Sequence, residues 1–471
     1  MRKSVNPVTL LGSAVGVLGV LASNWLLLKE NRLVQGEAYS AFQLPLALTL
    51  LLLAVWVALA LCSFAAFPGR PWALGLLASA GLLLGTILVG QGTQALLSEV
   101  ESASRARVSL RGGVWITLLA YYIALFGTLG ELRGPKWKPA LMVAPGLVGA
   151  LLLIASGMLN DLGLAREFAV RGEDFAAEVV RHLALAGTSV FLAAAIGVPA
   201  AIQAARSEQV AAFVLPTASL LQTLPSLALF GLMLGPLAQL GNGVSVGAAL
   251  LFILLGLIVS AALAWGFRRV RQKLVKGLGG VYLGVIVLVA LVPLALLTVI
   301  LAVFLNDLIV AVFSLDFSGL SFPATFSAPL SALGVRGIGT APALIALTLY
   351  ALLPIVRNCY TGIKEVPKSA IEAGRGMGMS QAQILRRVEL PLALPLIVEG
   401  LRASAVLTIG IATVAFLIGA GGLGTFIESG ISQQVPDLIL LGAIPIILLA
   451  LLVDALLRGV GALLTSPGIR S

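Results

Sequence analysis

Charge is scarce in this chain. Asp, Glu, Lys and Arg make up 11% of its 471 residues, whereas soluble domains carry about a quarter. Together with 59% hydrophobic residues, this excludes an ordinary soluble fold. Histidine occurs once, as His182, so neither a metal centre nor an acid–base relay built on several imidazoles is available. Cysteine occurs twice, as Cys62 and Cys359, far apart in sequence. That gives no disulfide framework and no thiolate cluster, and both read as packing residues. Nowhere is there a GxxxxGK run followed by Ser or Thr, the loop that cradles nucleotide phosphates. Aromatics are 6% of the chain and form no compact cluster of the kind that cages a quaternary ammonium. Tyr121, Tyr122 and the scattered tryptophans read instead as anchors at a membrane interface.

What fills the chain is apolar runs of about 20 residues, the length a helix needs to cross a bilayer. They recur at Val8–Leu28, Leu44–Phe64, Trp72–Leu97, Val114–Gly130, Pro139–Leu159, Leu183–Ala205, Val210–Leu240, Val244–Phe267, Val281–Leu305, Ile338–Val356, Leu392–Gly419 and Leu438–Leu457. The fold class expected is therefore an all-α polytopic membrane protein of about 12 transmembrane helices. The first run follows Arg2 and Lys3 like a signal peptide, but it is long enough to cross and reads as an uncleaved span. Arg70, Arg133, Lys136 and Lys138 fall on the side of the amino terminus, and Glu37, Glu99 and Glu101 fall opposite. By the positive-inside rule both termini are expected in the cytoplasm. The net charge of +10 sits in such loop clusters and serves orientation among membrane lipids, with no nucleic acid implied. Residues 161–182 are polar, with Phe168, Phe175 and Val179 on one helical face, and are expected as an amphipathic outer segment. Three regions result: 1–160 with five spans, 161–182, and 183–465.

One polar island interrupts the last region. Residues 364–391 read KEVPKSAIEAGRGMGMSQAQILRRVELP, two short helices meeting at a turn. Pro367 suits a first helical position, and Gly374, Gly376 and Gly378 are expected to break the first helix. Ser380 and Gln383 can form a capping box on the second, and Pro391 and Pro395 are expected to limit it beyond Leu390. A turn nearly free of side chains, rimmed by Lys364, Lys368, Arg375, Arg386 and Arg387, is a surface on which another protein's backbone could seat closely.

Glu372-Ala373-Gly374, then Gly378, then Val388-Glu389-Leu390-Pro391 resembles the EAA loop of binding-protein-dependent ABC importer permeases. That pattern has Ala where this chain has Gly374, a change expected to keep the shape and loosen the helix. GMGM at 376–379, LQTLPSLALFGL at 221–232, LTLYALLPIVRN at 347–358 and LIGAGGLG at 417–424 are more narrowly similar to permeases for glycine betaine, choline, carnitine and related osmoprotectants. The resemblance covers Arg181 to Gly235 and Gly337 to Arg458. It implies a type I importer permease core with extra amino-terminal helices and an inserted hairpin at about 237–336. It also implies a prokaryotic plasma-membrane location and a coupling loop including Glu372, Ala373, Gly374, Gly376, Gly378, Met379, Ser380, Leu390 and Pro391. The partners it implies are a separate ABC ATPase subunit that uses the ATP, an extracytoplasmic solute-binding protein, and a second permease copy or sister permease. No catalytic residue and no cofactor bound by this chain are expected. The first 160 residues carry none of these motifs and are expected to be separable from the working core.

Other motifs weigh less. Residues 419–424 fit GxGxxG, but they follow an apolar run rather than a strand and suit glycine-rich packing or a flexible outer gate better than a dinucleotide. Glu399 and Arg402 stand three apart in a span and can pair structurally or face a pathway. Asp454 and Arg458 read as a structural pair. Alternatives remain an importer for another small solute such as an amino acid, and an ion-driven secondary carrier, which would show mid-membrane ionisable residues and matched broken helices.

Overall fold

The computed structural model describes residues 5–31, 34–101, 103–132, 134–135, 137–270, 278–318 and 326–464. Arg133, Lys136 and most of the basic loop at 268–276 lie outside them. The chain forms two compact units, residues 1–172 with 429–441, and 173–428 with 442–471.

The first unit contains α1 (Pro7–Leu21), β1 (Asn24–Lys29), β2 (Glu37–Ser40), α2 (Leu46–Phe64), α3 (Arg70–Ser98), β3 (Arg107–Leu110), α4 (Gly112–Leu129), α5 (Trp137–Ala155) and the start of α6 (Gly163–Arg206). Asn6 caps α1 by accepting from the Thr9 backbone N–H at 3.0 Å, with Pro7 in the first turn. Its buried Gly12, Gly16 and Gly19 share one helical face and admit close neighbours. A Cβ at Gly12 would lie 2.6 Å from the Ala124 nitrogen, and one at Gly16 would lie 2.3 Å from the Trp56 ring. Such a face lets α1 pack against α2 and α4 as small-residue stripes do in membranes.

The strands were not legible in the sequence. The run expected to cross as Val8–Leu28 ends its helix at Leu21 and continues as β1. Trp25 to Leu28 are four consecutive buried residues, and an apolar run covered on both faces shows no alternation to betray a strand. The sheet order is β2-β1-β3, antiparallel throughout. Trp25 Nε1 donates to the Gly19 carbonyl at 2.9 Å.

In the second unit α6 continues, followed by α7 (Glu208–Thr223), α8 (Ser226–Gly243), α9 (Val246–Val270), α10 (Leu278–Ser314), α11 (Thr340–Lys364), α12 (Lys368–Gly376), α13 (Gln381–Ile384), α14 (Leu390–Ala412) and most of α15 (Gly424–Ser432) and α16 (Pro436–Leu464), whose residues 429–441 belong to the first unit. The segment expected at 161–182 starts as a helix at Gly163 that kinks at the non-helical Arg171, with φ −118° and ψ 19°, so α6 comprises two helices and the residues after the kink run on into the span. The run at Val210–Leu240 is two helices bent by 98°, broken where Pro225 removes a donor. Tyr350 Oη donates to the Leu224 carbonyl at that break. Among the described residues, ten helices are long and apolar enough to cross a membrane, the bent pair makes an eleventh, and the 15-residue α1 accounts for the twelfth run. The inserted hairpin closes on itself. Val246 N–H donates to the Ala328 carbonyl at 2.8 Å and Leu330 N–H to the Val244 carbonyl at 2.9 Å, so the chain returns to where it left.

Candidate docking loop and the helices behind it

The polar island sits at the carboxyl end of α11. Pro367 is the residue before the first turn of α12, with φ −55° and ψ 126°, one position earlier than expected. α12 also runs farther than expected, through Gly374 to Gly376. Neither glycine breaks it, because the backbone there is helical and glycine only weakens a helix. The break falls at Gly378 alone, where φ is +77°. Gly378 N–H donates to the Arg375 carbonyl at 2.9 Å and Met379 N–H to the Gly374 carbonyl at 3.1 Å, the two bonds of a Schellman ending.

The second helix starts as its residues dictate. Ser380 N–H donates to Gln383 Oε1 at 2.7 Å and Gln383 N–H to Ser380 Oγ at 3.4 Å, a closed capping box. It does not stop near Pro391. A π-helical turn over Leu385–Glu389 hands α13 on to α14, and Pro391 stands in the first turn of α14. The wider turn shifts the register so that the missing proline N–H interrupts no intact ladder.

Exposure divides the loop cleanly. Gly374 and Ile384 are buried, whereas Glu372, Ala373, Gly376, Gly378, Ser380 and Pro391 are exposed. Met379 and Leu390 are half-buried, and Met379 turns inward, its sulfur 3.4 Å from a Cβ placed on Gly374. The apex residue missed by sequence reasoning is Met377, 73% exposed. The left-handed Gly378 between the two methionines sends one out and the other in, a signal legible in GMGM once the turn is assigned. A bare, capped apex of this kind presents backbone and one flexible thioether to a partner, without a nucleophile or a metal-ligand set. Among the described residues no cluster of metal-ligating side chains exists.

Behind the loop, Arg206 at the end of α6 pairs with Glu389 at 3.3 Å. Glu399 and Arg402 meet at 2.6 Å, and Arg402 also reaches Asp454 at 3.4 Å, which Arg458 pairs in turn. The two charge pairs seen in sequence thus form one chain of charges joining α14 to α16. His182 is buried with Nε2 3.0 Å from the Ile409 carbonyl, and its Nδ1 lies 3.0 Å from a Cβ placed on Gly422.

Residues 274–465 match the binding-protein-dependent transport system inner membrane component family, and residues 4–165 match the N-terminal domain of the ABC transporter permease YehY. Similar curated proteins include the carnitine transport permease protein OpuCB of Listeria monocytogenes, 52% identical over 28% of this chain and 62% of that one. The choline transport system permease protein OpuBB of Bacillus subtilis is 46% identical over 28% and 62%. The osmoprotectant import permease protein OsmW of Salmonella typhimurium is 47% identical over 30% and 66%. The chain spans just under two thirds of the length of these relatives. A solved structure of the MetNI methionine ABC transporter in inward facing conformations aligns at 17% identity and TM-score 0.35, covering 61% of this chain and 94% of that one.

Proposed function

We propose that this chain is the permease subunit of an ATP-driven importer of osmoprotectants, because residues 274–465 match the binding-protein-dependent transport inner-membrane component family and residues 4–165 match the YehY-type amino-terminal permease domain. Its solutes are glycine betaine or related quaternary amines. The family is one of transport permeases rather than catalytic enzymes, and ATP is hydrolysed by a partner subunit. A second permease copy or sister permease completes the pathway. An extracytoplasmic binding protein supplies the affinity, in keeping with a sequence that shows no compact run of aromatic residues. With both termini cytoplasmic, the docking loop faces the ATPase.

The single observation that carries this reading is the loop itself, two capped helices meeting at an exposed apex with a positive-φ glycine at position 378. The membrane protein is tested with its ATPase and binding protein in vesicles. Gly378→Trp is expected to insert normally and abolish ATP-dependent glycine betaine uptake. Normal uptake by that variant would show that the loop is not the coupling element. Wild-type uptake of amino acids without any quaternary amine would leave the coupling standing and overturn the substrate.

A further inference from the structure

At the end of α11 opposite the docking loop, the second unit has a half-open cavity of about 550 Å³. Its charged lining comes from separate elements: Arg181 of α6, Asp307 of α10, Asp316 just beyond α10, and Arg336 ahead of α11. Two positive and two negative groups make the space polar yet neutral overall. Gly339 and Gly419 also line it, with φ of +94° and +76°, and the Gly339 N–H donates to the Ile418 carbonyl at 2.6 Å. The glycine-rich run after α14 therefore forms part of the cavity wall.

Two groups in this wall are poised for a ligand. Asn306 is 2% exposed, and its Nδ2 donates to Asp307 Oδ1 at 3.3 Å, while its Oδ1 has no hydrogen-bond partner among the described residues. A buried amide oxygen left so is costly unless something positive approaches it. Arg336 donates from Nε to the Ser331 carbonyl at 3.0 Å and forms no ion pair among the described residues, so its guanidinium charge is uncommitted. Arg181, by contrast, is already paired with Glu178 at 3.0 Å.

We propose that this cavity is a way-station for a zwitterionic solute, with Arg336 taking the carboxylate and Asn306 with Asp307 taking the quaternary ammonium. A quaternary ammonium has no proton to donate, so it needs the negative end of a dipole and a nearby carboxylate rather than an acceptor aligned to an N–H. Arginine's planar fork suits the carboxylate end. With no aromatic ring among the described lining residues, the site holds its ligand weakly, as a hand-off point between a binding protein and the pathway should. The proposal rests on the osmoprotectant reading above and adds the residues that would recognise both ends of the solute.

The test uses the complex of permease and ATPase in nanodiscs, without ATP or binding protein, with glycine betaine and choline as probes in saturation-transfer NMR. Wild type is expected to bind glycine betaine saturably at about 1 mM. Arg336→Gln should weaken that about tenfold, the loss expected when a charge-assisted hydrogen bond goes. It should leave choline, which lacks a carboxylate, unchanged or bound more tightly. Arg336→Lys should recover part of the glycine betaine binding, and Asp307→Asn should weaken both probes. Equal loss of both probes in Arg336→Gln, wild-type affinity in that variant, or no saturable binding by wild type would overturn the proposal. Vesicle uptake separates the two levels: wild type that imports glycine betaine but fails these binding tests loses only the way-station, whereas wild type that imports no quaternary amine loses the functional reading as well.

Discussion

At the residue scale, the two glycines that flank the turn make opposite demands. Gly374 is helical, and a Cβ there would meet Met379, Ile384 and Val388 at 3.4 to 3.8 Å, ordinary contact distances. Gly374→Ala, the residue the EAA pattern carries, is therefore expected to stabilise the loop by about 0.5–1 kcal/mol through backbone entropy, with uptake unchanged and slower proteolysis of residues 364–391 as the readout. Gly378 has φ +77° and nothing within 4 Å of a built Cβ, so a substitution there meets strain before it meets atoms. Gly378→Ala should cost about 1–2 kcal/mol of loop conformation and lower uptake severalfold, whereas Gly378→Asn, whose side chain tolerates the left-handed region, should lose less. A greater loss for Asn than for Ala would show that bulk at the partner's surface, not backbone conformation, sets the requirement. The sequence showed where the glycines are but not which one carries the turn, because that depends on φ, and φ is fixed by the two carbonyls the turn must satisfy.

At the element scale, helices were legible wherever a long apolar run ended in polar residues, and helix ends were legible wherever a side chain does the capping, as at Ser380 and Gln383. Three features were hidden for physical reasons. The β1 strand is apolar on both faces and imitates a helix. The π turn before Pro391 is a register change that leaves no trace in composition. The bend between α7 and α8 could have fallen at Pro216, Pro225 or Pro236, and only the partner of the freed carbonyl decides. That partner is Tyr350, 4% exposed, donating to the Leu224 carbonyl. Tyr350→Phe keeps the ring and removes the donor, so a part-buried carbonyl loses its bond at an expected cost of about 1 kcal/mol. A lowered thermal midpoint in detergent checks it, and an unchanged midpoint would mean that the bend is held by packing alone.

At the scale of the whole molecule, the division read from sequence cuts at residue 160, while the compact units exchange a segment: residues 429–441 belong with 1–172. Chemistry accompanies that exchange. Asp437 is 2% exposed, and Ser109 Oγ of β3 donates to its Oδ2 at 2.6 Å. Lys29 Nζ of β1 reaches the Gln434 carbonyl at 3.4 Å. Nearby, Glu167 lies 3.7 Å from Arg107 and 3.6 Å from Arg171. A protein begun after residue 160 keeps Asp437 but loses Ser109, Lys29 and Arg107 together, which strips a buried carboxylate of the donor and charge that make its burial tolerable. On these contacts, removal of the first 160 residues is expected to destabilise residues 429–441. The truncated protein should melt well below the full chain, and residues 429–441 should become open to protease in membrane vesicles where the full chain resists. Ser109→Ala in the full chain should move the midpoint in the same direction by less, the loss of one hydrogen bond to a charged group, about 1.5–3 kcal/mol. A truncation that matches the full chain in midpoint and protease resistance would show that 429–441 holds its place without the amino-terminal unit, and would return those 160 residues to the status of a removable appendage.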